Sequence, residues 1–424
     1  MKKLIAILLC LVLVLPIFGC ANKTSSVLKV GFGRVDITPP DGMRIPMRGY
    51  GNPAERLSSG ILDRIYATCV AFTDVNDNTI LLYHMDFCST GYDDLMMMKR
   101  PISKATGVPV SNIMISATHS HSSPELAMTG NENVAAYIDM LRDWMVDAAK
   151  AAMADRAAAD MYITTKKVEN MNFCRHYKMK DGTIAGDNFG NHSSGYVGHV
   201  IQADDNLQML RFTREGKKDI MLANWQVHPK YASQYTNGKH SLITADFVGK
   251  MRDYVEANLD CQFAYFSGAS GNLNPSSSIP SENVVSNYTE YGNKMGEAAA
   301  EAYQNMTKVN THNVQITSQK YTARRSTDDG PDNMQIYAFS IGDVGFVCAP
   351  YEMFSENGQQ LKAGSPFKMT FVVTYANGGY GYVPAEGAYG YDSYEEKYKH
   401  YEKGTAEELV NTYVTMLKQL YETR

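Results

Sequence analysis

From residue 27 onward the chain alternates short apolar runs with longer amphipathic stretches, and no linker interrupts the alternation. Runs rich in β-branched and aromatic residues predict strands at 27–32, 65–73, 79–85, 113–118, 160–167, 206–213, 219–227, 262–267, 313–322, 334–341, 343–348 and 369–374. The first two full runs are joined by the turn Asn76-Asp77-Asn78. Apolar residues at helical spacing predict helices at 92–106, 133–153, 246–258, 288–306 and 405–421. Strands alternating with helices imply sheet connections filled by helices. With no Pro/Gly/Ser-rich divider, residues 27–424 read as one mixed α/β domain. A hydrophobic content of 44% over 424 residues is enough for a large core.

The first 26 residues have a different character. Lys2 and Lys3 precede an apolar run from Leu4 to Ile17, and Gly19-Cys20 ends it before a polar stretch. The run is too short for a comfortable permanent span, so it reads as a secretory signal. A small residue directly before a cysteine resembles a bacterial lipoprotein cleavage site. Residues 1–19 are therefore expected to be a lipoprotein signal peptide and 20–26 a tether. A lipid on Cys20 would anchor the exported chain at the cell membrane or surface. The remaining cysteines, Cys69, Cys88, Cys174, Cys261 and Cys348, are widely spaced with no C-x-x-C pair. Their apolar neighbours favour buried thiols over a disulfide framework. A net charge of −5 without any Lys/Arg block gives no footprint for nucleic acid.

Chemistry concentrates where predicted strands end. Thr118-His119-Ser120-His121-Ser122 follows the strand at 113–118, and two imidazoles at i and i+2 of an extended chain share a side. His228 stands at the end of another apolar run, where Pro229 stops the strand. A catalytic zinc needs about three protein ligands and an open position, which separate strand ends can supply. Residues 376–403 carry seven tyrosines: Tyr380, Tyr382, Tyr389, Tyr391, Tyr394, Tyr398 and Tyr401. So many aromatic rings in a loop suggest a pocket wall.

Several segments resemble the zinc-dependent neutral ceramidase family, and they occur in the family's order. They are residues 33–40 (GRVDITPP), 117–122 (ATHSHS), 224–229 (NWQVHP), 244–247 (TADF), 268–275 (GASGNLNP), 349–352 (APYE), and 375–377 (YAN) with 380–384 (YGYVP). The resemblance implies a catalytic domain with zinc ligands on His119, His228, Glu352 and a tyrosine. Tyr382 matches best, with Tyr380 in reserve. It sets His121 beside the metal and Arg175 near the substrate. The family's Gly-Asp-x-Ser-Pro reads Gly271-Asn272-Leu273-Asn274-Pro275 here, so Asn274 stands at the serine position. Asparagine is no nucleophile but can donate a hydrogen bond. The family's C-terminal β-sandwich is not expected in this chain.

These features lead to an expected zinc-dependent hydrolase for an amide (N-acyl) bond in a small-molecule or lipid substrate, with a ceramide-like lipid as the family's example. Zinc would polarise the carbonyl and bring the pKa of a bound water to about 7. His121 would carry a proton to the leaving amine, with Arg175 and Asn274 holding an oxyanion or head group. Two other readings stay open. The same zinc fold could act on a sugar, peptide or polyol derivative, since tyrosines also stack on sugars. Alternatively, the chain could be a non-catalytic ligand-binding surface lipoprotein, a reading that only the missing serine favours.

Overall fold

The structure is a computed structural model and describes residues 27–89, 91–186, 195–232, 240–327 and 330–424. The signal, tether and Cys20 lie outside the described residues. The strands that build the site are β1 (Lys29–Asp36), β2 (Tyr66–Thr73), β3 (Thr79–Met85), β4 (Ile113–Ala117), β5 (Ala157–Lys167), β6 (Asn206–Arg214), β7 (Asp219–Trp225), β8 (Cys261–Ser267), β9 (Val314–Ala323), β10 (Asp332–Ile341), β11 (Val344–Cys348) and β12 (Met369–Val373). The principal helices are α1 (Tyr92–Thr106), α2 (Glu132–Asp155), α3 (Asp246–Asn258), α4 (Tyr288–Tyr303), α5 (Ser355–Gly364) and α6 (Thr405–Glu422). Mixed α/β architecture is as the alternation predicted.

The large sheet runs β8-β7-β6-β5-β1-β2-β3-β4, and the small sheet runs β9-β10-β11-β12. Their inner faces pack on each other. Leu210, Leu222, Phe266 and Met114 of the large sheet meet Phe339, Phe346 and Phe371 of the small one. Helices α1 and α2 cover one half of the large sheet's outer face, and α3 and α4 cover the other. Helix α6 covers the small sheet. The result is four layers, helix–sheet–sheet–helix, each element burying its apolar side.

Within these two sheets most neighbouring strands are antiparallel, but three pairs are parallel: β3 with β4, β7 with β8, and β11 with β12. Parallel neighbours need a long crossover. Helices α1, α3 and α5 supply these three crossovers. Ligands in such units collect beyond the carboxyl ends of the strands. The three pairs are brought together by the segment after β12. Thr374 donates its N–H to the Ser267 carbonyl at the end of β8 (3.0 Å), and Ala117 of β4 donates to the Tyr375 carbonyl (3.1 Å). Asn377 then donates to the Ile115 carbonyl at 2.8 Å. One short segment thus joins both edges of the large sheet to the small sheet.

The segment 33–40 serves this framework. A Cβ on Gly33 would lie 2.1 Å from the Ala148 carbonyl oxygen, so only glycine lets α2 approach β1. Arg34 forks onto Glu256 of α3, with N–O distances of 2.9 and 2.8 Å. Some expected bounds shift: the strand at 219–227 stops at Trp225 and the helix at 288–306 stops at Tyr303. Thr307–Val309, given no element from the sequence, pairs with β5. Helix α5 was not anticipated. All five predicted buried thiols are buried. No helix among the described residues is long and apolar enough to cross a membrane.

Candidate metal centre

His119, His228 and Glu352 each follow the first or last strand of a parallel pair, and their ligand atoms lie within 4.8 Å of one another. His119 Nε2 is 3.6 Å from Glu352 Oε2, and His228 Nε2 is 3.4 Å from the same oxygen. The opposite ring nitrogens are fixed by main-chain acceptors. His119 Nδ1 lies 2.6 Å from the Cys88 carbonyl, and His228 Nδ1 lies 2.8 Å from the Ser270 carbonyl and 3.1 Å from that of Leu273. A carbonyl only accepts, so each Nδ1 carries the proton and each Nε2 presents a lone pair to the centre. Main-chain acceptors behind a ring are how ligating histidines are usually oriented.

The electrostatics call for a cation. Burial depresses the His119 pKa to about 3 and drives that of His228 well below the ordinary value, so both rings are neutral. Burial also lifts Glu352 to about 7, against the pull of Arg175 and a hydrogen bond from Tyr382. The two Nε2 lone pairs face Glu352 Oε2 at 3.6 and 3.4 Å. His228 Nε2 and Glu352 Oε2 are buried with no hydrogen-bond partner. Tetrahedral zinc with bonds near 2.1 Å separates its ligands by about 3.4 Å, which is the spacing found here. The donor set of two imidazoles and a carboxylate suits that ion.

Tyr382 pairs in register with Glu352 in a two-residue parallel bridge. Its hydroxyl accepts from Arg175 Nη2 at 3.1 Å. The Tyr380 hydroxyl instead donates to the Asn333 carbonyl, 3.2 Å away. Of the two tyrosines, Tyr382 therefore adjoins the cluster. Arg175 is buried, with Nε on Glu395 and Nη2 also on the Gly271 carbonyl at 2.8 Å. Glu395, buried yet held by Arg175 and by His176 at 3.0 Å, is pulled down to about 2.

His121 lies outside the three-residue group, with its Nε2 3.2 Å from His119 Nε2. The two rings meet edge-on, but not because the chain is extended. His119 has φ 68°, a left-handed conformation. Tyr375 (φ 53°) is left-handed too, and its ring stacks on His119 at 3.8 Å. Such residues cost on the order of 1–3 kcal/mol each and persist where surrounding structure enforces them. Gly49 (φ 119°) seals the back of this loop, since a Cβ there would lie 2.5 Å from His121 Cα.

Asn274 is buried in a two-strand bridge with Phe173, one residue beyond the Leu273 carbonyl that meets His228. Asn272 is a brace. Its side chain accepts from the Ser355 N–H (2.9 Å) and donates to Glu356 (2.8 Å), fixing the start of α5. Sequence reading missed Cys88, Tyr375 and Glu395. Tyr375 lay in a quoted segment, whereas a carbonyl such as that of Cys88 leaves no mark in residue type. The tyrosine wall is partly as expected: Tyr380 and Tyr401 line a cavity of about 390 Å³ that reaches Glu352, and Tyr394 packs edge-on against Tyr382.

Comparison with known proteins gives the chain a family. The family described as neutral/alkaline non-lysosomal ceramidase, N-terminal, matches residues 28–268. That span includes His119, His121, Arg175 and His228 but stops before Asn274, Glu352 and Tyr382. A neutral ceramidase of Drosophila pseudoobscura pseudoobscura is 24% identical over 247 residues, 54% of this chain and 32% of that protein. The match thus spans about a third of that relative's length. The solved neutral ceramidase from Pseudomonas aeruginosa superposes with TM-score 0.75 at 19% identity, covering 94% of this chain and 75% of that one. A ceramidase complexed with C2 gives TM-score 0.74 at 19% identity, covering 94% and 76%. At that identity the likeness establishes the shared fold.

Proposed function

Because the chain belongs to the neutral/alkaline non-lysosomal ceramidase family, we propose that it is a zinc-dependent hydrolase that cleaves an N-acyl amide bond. The observation that carries this reading is the trio His119, His228 and Glu352, whose ligand atoms lie within 4.8 Å of one another while His228 Nε2 and Glu352 Oε2 have no hydrogen-bond partner. Tyr382 would complete the ligand set from beside Glu352. Zinc held there would supply Lewis-acid polarisation of the amide carbonyl and a water acidified to near pH 7.

The chain's own residues would do the rest. His121, neutral through burial and close to His119, would take a proton and hand it to the leaving amine. Arg175 keeps the Tyr382 hydroxyl aimed, and its positive charge would favour an anionic transition state nearby. Asn274 would serve as a hydrogen-bond donor. Ser270 is buried against the Tyr375 hydroxyl (3.2 Å), which is no base to activate it. The test is hydrolysis of fluorogenic N-acyl substrates by zinc-loaded and chelator-treated protein. Turnover that survives complete zinc removal would overturn the reading.

Two predictions follow from the parts. Asn274→Ala should keep measurable turnover, with a loss no greater than about 10²–10³-fold, the effect of one oxyanion donor. A covalent acyl-enzyme trapped on Ser270 during turnover would contradict a water nucleophile. Membrane attachment rests on Gly19-Cys20 at the end of the apolar run. Cys20→Ala should release the chain from the membrane fraction or block its processing. A correctly processed variant that stays membrane-bound would exclude the lipid anchor.

A further inference from the structure

The cavity that opens onto Glu352 carries a cation that the hydrolytic reading does not use. Its wall includes Arg48, Arg325, Asp332, Glu352, Tyr375 and Tyr380. Glu352 and Tyr375 belong to the metal centre, so a substrate in this cavity has its reacting end there. Arg325 is neutralised, with Nε 2.9 Å from Asp332. Arg48 is arranged differently. Its Nη1 donates to Glu125 Oε2 at 2.7 Å. Glu125 is buried, and its other oxygen accepts from the Ala127 N–H at 2.8 Å, so it braces the guanidinium. The Arg48 carbonyl is held by Arg56 at 3.0 Å, and the next residue is Gly49, pressed against His121.

Among the described residues, Nε and Nη2 of Arg48 make no hydrogen bond to protein. The side chain is 38% exposed. An anchored guanidinium with one open planar edge is a fork for an oxyanion, and it matches a carboxylate in a bidentate pair. With Glu352 and Asp332 on the same wall, a dianion would be repelled, whereas one cation suits one negative charge. A neutral N-acyl sphingoid offers this edge hydroxyl acceptors but no negative charge.

We propose that Arg48 is a specificity-determining residue that binds a substrate carboxylate, and that the substrates are N-acyl amino acids. The bond broken rests on the hydrolytic reading above, while the carboxylate rests on Arg48. Water adds across the C–N bond. Its oxygen goes to the acyl carbon and its proton to nitrogen, giving a carboxylic acid and a free amino acid.

The test compares N-dodecanoylglycine with its neutral glycinamide counterpart, using the zinc-loaded full chain for kcat/KM. In parallel, Kd is measured for the unreactive ketones in which CH2 replaces the amide N–H, one ending in a carboxylate and one in a carboxamide. The expected preference for the carboxylate is about 10- to 100-fold in both readouts, as for a hydrogen bond to a charged group. The paired change Arg48→Gln with Glu125→Gln, which keeps a side-chain hydrogen bond without either charge, should bring both ratios close to one. Arg48→Lys, which keeps the charge without the fork, should retain part of the preference. Equal Kd values in the unaltered protein, or a preference that survives the paired change, would overturn the assignment. Selective ketone binding without hydrolysis of either amide would refute the hydrolytic reading and leave the Arg48 assignment standing.

Discussion

Exchange of His228 for alanine is expected to leave a folded chain that holds well under one zinc ion per molecule and has lost N-acyl hydrolysis. His228 is fully buried, and its Nε2 has no other partner. Its orientation comes from the Ser270 and Leu273 carbonyls, which belong to the loop after β8 and stay in place without the ring. Losing an outer partner of a ligand typically weakens metal binding about 10–100-fold. Losing a ligand itself should exceed that. Metal analysis after gel filtration, with a thermal melt to show that the fold persists, reads this directly. Full zinc occupancy would move the site elsewhere, most simply to Cys88, His119 and His121, whose ligand atoms also cluster.

His121→Ala should separate chemistry from metal binding. Zinc content should stay near one per chain, while kcat falls about 10²–10⁴-fold, the range for a lost general acid or base. The basis is position: His121 touches His119 through Nε2, lies outside the ligand trio and has a buried Nδ1 without a partner. The loop backbone should survive, because the His121 N–H donates to the Pro229 carbonyl (3.1 Å) and the His121 carbonyl accepts from Arg56 (2.7 Å) whatever the side chain. Loss of zinc in this variant would make His121 a ligand. Undiminished kcat would remove it from proton transfer.

Much of this fold was legible because burial on both faces makes strands such as β3 and β11 continuous apolar runs. Helix α2 was legible from its repeating apolar face. Helix α5 was not, since SENGQQLKAG buries only a narrow set including Ser355, Asn357 and Leu361. Its position comes from the crossover between β11 and β12, and a crossover depends on strands distant in sequence. Within the site, His119 and His228 stood out at strand ends, whereas Glu352 and Tyr382 needed the family resemblance. His119 and His121 are close, as their i and i+2 spacing suggested, but the chain is not extended there: His119 has φ 68°, with its ring stacked on Tyr375 and its Nδ1 on the Cys88 carbonyl. Arg48 and Glu125 are 77 positions apart, and only the fold makes them a pair.

The proposed chemistry depends on one zinc ion held between His119, His228 and Glu352. The most direct test is diffraction from zinc-loaded crystals at energies on either side of the zinc absorption edge. A single strong anomalous peak is expected, bonded to His119 Nε2, His228 Nε2 and a Glu352 carboxylate oxygen, with Tyr382 beside it. A peak bonded to Cys88 and His121 instead, or no peak near Glu352 at full zinc loading, would contradict that placement.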